Sequence, residues 1–102
     1  MKIKCVLIDD EPLATKILQN YFTNFADFEI IGTFHNSIEA LDFINNNTID
    51  IVFLDIHMPL MTGFELIRLI ENKTKIVITT AFREFAAESY ELDVLDYLVK
   101  PI

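Results

Sequence analysis

Cysteine is almost missing from this chain: Cys5 stands alone among 102 residues, so no disulfide can form within it. Cys5 lies in an apolar stretch, where a lone thiol serves as a small buried hydrophobe, and a reducing cytoplasm is the compartment that suits such a chain. Basic residues are also scarce. Eight Lys and Arg face sixteen Asp and Glu, for a formal net charge of −8. Nucleic acids and anionic membrane surfaces are recognised through clustered Lys and Arg, so this segment is expected to bind neither. No apolar run approaches the ~18 residues that a membrane-spanning helix needs, and the start lacks a charged n-region followed by a long apolar h-region. Two histidines and one cysteine make no zinc cluster. No low-complexity stretch or linker divides the chain. What is present is 52% hydrophobic and 12% aromatic, too apolar for a disordered segment. The length suits a single domain over residues 1–102 with one core.

The organising stretch is Ile49-Asp50-Ile51-Val52-Phe53-Leu54-Asp55, followed by Ile56-His57-Met58-Pro59. An apolar, β-branched run of this length reads as a strand buried on both faces, as in a parallel sheet. It ends on the Asp55 carboxylate, before Pro59 and Gly63 mark a loop. Around it the chain alternates. Ile3 to Ile8 reads as a first strand that ends in Asp9-Asp10-Glu11. Pro12 then opens a helix, at the position where proline is best tolerated. Ala14, Ile17, Leu18, Tyr21 and Phe25 recur at helical spacing and predict an amphipathic helix from Pro12 to about Phe25. Phe28 to Phe34 reads as a second strand. Ser37 is expected to cap a helix with Ala40, Leu41 and Ile44 on its buried stripe, ended by Asn45-Asn46-Asn47. Thr62 and Glu65 match a capping box ahead of Phe64, Ile67 and Ile70. Lys75 to Thr79 is a fourth strand, Glu84 to Leu92 a weakly patterned helix, and Val94 to Val99 a fifth strand that runs into Lys100-Pro101. A strand–helix period of about two dozen residues is the signature of βαβ units. Right-handed crossovers turn such units into a parallel sheet with helices on both faces.

Four strands end on polar residues that the apolar pattern does not require: Asp9-Asp10, Asp55, Thr79-Thr80 and Lys100. In a parallel sheet all four ends share one edge, where open α/β sheets bind ligands. Each residue has a plainer reading: a helix cap for Asp9 and Asp10, a strand end for Thr80, a solvated surface lysine for Lys100. His35 and His57 read as surface residues, and Met58 and Met61 as packing or loop residues. Convergence at one edge tells against the plain readings of the four strand ends. Packed carboxylates raise one another's pKa unless a cation joins them. A few hard oxygen ligands with water completing the shell suit Mg²⁺. A metal beside a carboxylate, a lysine and a threonine is a set for holding a phosphoryl group that the carboxylate attacks.

In this order and spacing, Asp9-Asp10, Asp55-Ile56-His57-Met58-Pro59 with Gly63, Thr80-Ala81 and Asp96-Tyr97-Leu98-Val99-Lys100-Pro101 resemble the receiver (CheY-like) domain of two-component response regulators over the whole chain. The resemblance implies an α/β, flavodoxin-like, doubly wound parallel five-stranded sheet of order 2-1-3-4-5, here without the fifth helix that receivers normally add at the C-terminus. It implies that Asp55 takes a phosphoryl group from a phosphohistidine on a sensor histidine kinase. It also implies Mg²⁺ held by Asp10, Asp55 and the backbone carbonyl of His57, with Asp9 supporting through water. Lys100 and Thr80 would contact the phosphoryl oxygens, and Thr80 with Tyr97 would form the switch pair. Thr80-Ala81-Phe82-Arg83-Glu84-Phe85-Ala86, with the segment from Tyr90 to Tyr97, looks most like regulators carrying a LytTR-type DNA-binding output domain. The expectation is thus a cytoplasmic, phosphorylation-controlled switch whose only chemistry is slow self-dephosphorylation. It forms a homodimer on activation, or where the missing helix leaves an apolar face bare, and it reaches DNA through an output domain outside residues 1–102. His57 and Phe82, two residues beyond Asp55 and Thr80, would lean over the site and slow that hydrolysis. The alternatives fit less well. A haloacid-dehalogenase-type phosphatase looks like Asp-x-Asp at its nucleophile, and His57 holds the second position here. A flavin-binding module needs a Ser/Thr/Gly-rich loop after the first strand, where Asp-Asp-Glu-Pro would repel a phosphate.

Overall fold

The computed structural model describes residues 2–58, 61–70, 74–80 and 94–100. In chain order these form β1 (Ile3–Ile8), α1 (Pro12–Phe22), β2 (Phe28–Phe34), α2 (Ser37–Asn45), β3 (Ile51–Asp55), α3 (Gly63–Leu69), β4 (Lys75–Thr80) and β5 (Asp96–Val99). The strands make one sheet in the order β2-β1-β3-β4-β5, with every neighbouring pair parallel. This is the flavodoxin-like arrangement expected. The winding direction reverses between β1 and β3, so a crevice opens beyond their C-terminal ends, the topological switch point of such sheets. The helix expected over Glu84 to Leu92 lies outside the described residues, as do Phe82 and Pro101.

Alternation along the strands sends side chains to two cores. Val6, Ile8, Val52, Leu54, Ile76 and Ile78 meet Ala40 and Ile44 of α2 and Phe64 and Leu66 of α3. Cys5, Leu7, Phe53 and Val77 meet Leu18 and Phe22 of α1 on the other face. Cys5 is fully buried, and burial, with the Asp50 charge adding to it, pushes its thiol up to about 11. It is an inert hydrophobe, as read from the sequence.

Two local expectations are corrected. α1 ends at Phe22, and it buries Thr15, Leu18 and Phe22. Ile17, Tyr21 and Phe25 are 52%, 54% and 44% exposed. Apolar residues cover more than one side of this helix, so periodicity admits two stripes and packing selects one. Phe22 decides it by seating its ring 5.2 Å from that of Phe28 and 5.0 Å from that of Phe53. Thr15 tolerates burial because its hydroxyl donates to the Pro12 carbonyl at 2.9 Å. In α2 the cap is Asn36, whose side chain accepts from the Glu39 N–H at 3.0 Å. Ser37 sits one residue inside the helix, fully buried. The capping box of α3 forms as read: Glu65 N–H donates to Thr62 Oγ1 at 3.2 Å, and Thr62 N–H donates to Glu65 Oε1 at 3.0 Å.

Candidate functional site

β1 and β3 pair up to Ile8 and Leu54. Just past that point they deliver Asp9 and Asp55 to the same crevice. Asp9 is only 2% exposed, and its polar groups are taken. Its N–H donates to the Phe34 carbonyl at 3.0 Å, its Oδ1 accepts from the Glu11 N–H at 3.0 Å, and its carbonyl accepts from His35 Nδ1 at 3.0 Å. Its other carboxylate oxygen, Oδ2, meets Lys100 Nζ at 2.6 Å. Lys100 is brought there by β5, whose pairing with β4 extends one step when the Lys100 N–H donates to the Thr80 carbonyl at 2.6 Å. The same ammonium lies 3.8 Å from Asp55 Oδ2. Asp10 is exposed at the rim. Asp9, Asp10 and Asp55 each offer an oxygen, all within 4.8 Å of one another.

The electrostatics follow from this crowding. Asp55 is pushed up to about 6, first by burial, then by the Asp9 charge, with Asp10 adding to it. The Lys100 charge and a hydrogen bond from the His57 backbone N–H pull the other way and do not compensate. For Lys100, burial works against the charge, but the hydrogen bond to Asp9 and the charges of Asp55, Asp9 and Glu11 outweigh it and raise its pKa. Among the described residues, three carboxylates thus gather beside one ammonium. The donor set is hard oxygen, the excess charge is negative, and the groups converge, which fits a small divalent cation such as Mg²⁺.

Thr80 is fully buried at the end of β4. Register sets Thr79, not Thr80, directly beside Asp55, while Thr80 pairs with Val99 and Tyr97 with Ile78. By the two-residue alternation, Thr80 and Tyr97 belong to the α2/α3 face, and Tyr97 packs half-buried against that core. His57 is exposed two residues past Asp55. Gly63 lies against the acceptor strand: its N–H donates to the Ile56 carbonyl at 2.7 Å, and a Cβ there would stand 2.5 Å from the Asp55 carbonyl oxygen. Only glycine allows α3 to start so close to the strand end.

Asp9, Asp10, Asp55 and Lys100 are therefore brought together as read from the sequence, with Thr80 at the adjoining strand end. Two neighbours were missed. His35 touches the Asp9 carbonyl, and Ser37 Oγ donates to the Met61 carbonyl at 2.7 Å. A signal for both existed: β2 also ends on polar residues, His35-Asn36-Ser37, at the same edge.

A family model described as response regulator receiver domain matches residues 5–102. A response regulatory protein of Shewanella oneidensis is 45% identical over 102 residues, spanning 98% of this chain and 43% of its own length. The transcriptional regulatory protein BtsR of Escherichia coli is 38% identical over 102 residues, with the same shares. The chain thus spans under half the length of the curated relatives it matches. Among solved structures, the Thermotoga maritima response regulator TrrA in complex with Mg²⁺ and BeF is 30% identical with a TM-score of 0.87, covering all of this chain and 89% of its own. The crowded carboxylates, the lysine beside them, the parallel sheet that assembles them and these matches agree: the chain belongs to the response regulator receiver domain family.

Proposed function

We propose that Asp55 is the phospho-acceptor of a signalling switch, charged by a phosphohistidine on a sensor histidine kinase. The observation that carries this reading is Asp55 itself: a buried carboxylate pushed up to about 6, beside Asp9, Asp10 and Lys100 at one sheet edge. Asp10, Asp55 and the His57 backbone carbonyl would hold Mg²⁺, with Asp9 supporting through water. Receiver domains bind Mg²⁺ at an acidic pocket. Bound there, the ion supplies positive charge against the carboxylates and the phosphoryl oxygens.

The chain's own residues do the rest. An Asp55 carboxylate oxygen attacks phosphorus; the O–P bond forms as the P–N bond to the donor imidazole breaks, and the imidazole takes up a proton from water. Lys100, protonated and 3.8 Å from Asp55 Oδ2, is placed to turn from Asp9 to the phosphoryl oxygens. Thr80 donates a hydrogen bond to the phosphoryl group, and Tyr97, on the same face of the sheet, follows it inward. Hydrolysis of the phosphoaspartate is slow, and His57 contributes by crowding the path of the attacking water. The switch works in the cytoplasm, pairs with a second copy when activated, and acts on transcription through a LytTR-type DNA-binding domain beyond residue 102. The LytTR assignment rests on the motif from Thr80 to Tyr97, and the transcriptional role also on the likeness to BtsR.

The test is incubation with acetyl phosphate, followed by intact mass. One phosphoryl group per chain is expected with Mg²⁺ and none with EDTA, and peptide mapping should assign it to Asp55. Labelling that is unchanged in EDTA, or that maps elsewhere, rejects the reading.

A further inference from the structure

The sheet holds only part of the site. β3 is still paired at Asp55, with Thr79 of β4, but β1 and β3 part after Ile8 and Leu54, so Asp9, Asp10 and the His57 carbonyl lie beyond that pairing, on two separate connections. The turn after β2 reaches both. His35 Nδ1 stands 3.0 Å from the Asp9 carbonyl oxygen. A carbonyl only accepts, so this nitrogen carries the proton and donates. Two residues on, Ser37 is fully buried, and its hydroxyl donates to the Met61 carbonyl at 2.7 Å, with Met58 Sδ at 3.8 Å. Between them Asn36 anchors the turn to α2 by accepting from the Glu39 N–H at 3.0 Å. A serine hydroxyl in the first turn of a helix ordinarily bonds its own backbone or water. Here it is spent on a carbonyl 24 residues away.

We infer that the β2–α2 turn is a positioning clamp for the cation site: His35 fixes the backbone at Asp9, Ser37 fixes the β3–α3 connection at Met61, and together they set the distance between the two ligand-bearing loops. This rests on the reading of the site as a Mg²⁺ site. Neither residue is among those that would hold the ion. They act through the backbone that carries its ligands, in the way outer partners tune metal centres elsewhere. The donor, and not the imidazole as such, is what position 35 needs. Asparagine offers an N–H at nearly the same place, two bonds from Cβ, whereas alanine offers none.

The experiment is Mg²⁺ titration by calorimetry of the wild type, His35→Ala, His35→Asn, Ser37→Ala and Asp10→Asn, with thermal melts of each in EDTA. His35→Ala and Ser37→Ala should each weaken Mg²⁺ binding about three- to tenfold, and His35→Asn should restore wild-type affinity. His35 is exposed, so its alanine variant should stay folded in EDTA with only the small drop in melting temperature that one lost hydrogen bond brings, and its Mg²⁺ affinity is then read on folded protein. Affinities of both alanine variants within about twofold of wild type, a loss in only one of them, or a loss that asparagine fails to restore, each overturn the clamp. A wild type that binds no Mg²⁺ overturns the cation reading itself, and the clamp with it.

Discussion

β3 is bracketed by two aspartates with opposite circumstances. Asp50 precedes the strand at the N-terminal edge of the sheet and is exposed. Its Oδ2 accepts from the Lys4 N–H at 2.8 Å. Its own N–H donates to the Lys4 carbonyl at 2.9 Å, and its carbonyl accepts from the Lys75 N–H at 3.0 Å. It ties β1, β3 and β4 together where they start, and its charge meets solvent. Asp55 ends the same strand, 6% exposed, with two carboxylates near it and one ammonium 3.8 Å away. One residue type thus does two jobs, and the neighbours decide which. A parallel sheet gathers strand starts at one edge and strand ends at the other, so a carboxylate's place along the strand fixes its company. At one edge the acid is satisfied; at the other it is left short of positive charge, which is what a cation or a phosphoryl donor with its cation can relieve.

The sharpest break of this comparison is chemical. Asp55→Asn should abolish labelling by acetyl phosphate in Mg²⁺, while Asp50→Asn should label at the wild-type rate, both read by intact mass. Loss in both variants would mean that the two edges are not independent.

Next comes stability without metal. Folding raises the Asp55 carboxyl from 3.8 to about 6, so the folded chain holds that proton more tightly than the unfolded chain. The group therefore favours folding at low pH and opposes it once ionised, and its effect on stability falls as pH rises from about 4 to about 6. At pH 7 the apo protein should gain on the order of 2 kcal/mol from Asp55→Asn. Urea unfolding in EDTA across that range should show the wild-type slope flattened in the variant. An equal slope in both would place the strain on another group.

Asp50→Ala should act in the opposite sense and more weakly. Removing an exposed acceptor from the Lys4 N–H should cost about 1 kcal/mol, with no change in Mg²⁺ affinity. The smallest effect on the cation is expected at Lys100. Its ammonium pairs with Asp9 and lies 3.8 Å from Asp55 but offers no ligand to a cation, so Lys100→Ala should bind Mg²⁺ at least as tightly as the wild type. It should still lose the conformational response to phosphorylation, seen as unchanged amide chemical shifts on adding beryllofluoride. Clearly weaker Mg²⁺ binding would contradict this role.

Much of this was legible in the residues. The strand–helix period, the apolar run into Asp55 and the Thr62–Glu65 box are local patterns, and local patterns survive folding because backbone geometry generates them. The gathering of Asp9, Asp10, Asp55 and Lys100 was legible as well, since parallel strands leave their ends no other edge. Tertiary structure alone decided the rest. Helical spacing in α1 admits either Ala14, Ile17, Leu18, Tyr21 and Phe25 or Thr15, Leu18 and Phe22, and the rings of Phe28 and Phe53 select the second. Ser37 read as a cap because that is the nearest use for a hydroxyl at a helix start, but Asn36 took the cap and left Ser37 to Met61. Lys100 belonged at the site once the strand ends share one edge, but its place on Asp9 at 2.6 Å with Asp55 at 3.8 Å depends on how β5 docks beside β4. Periodicity records which residues share a face of one element; which partner that face or that loop meets depends on segments far along the chain, and only the packed sheet brings them together.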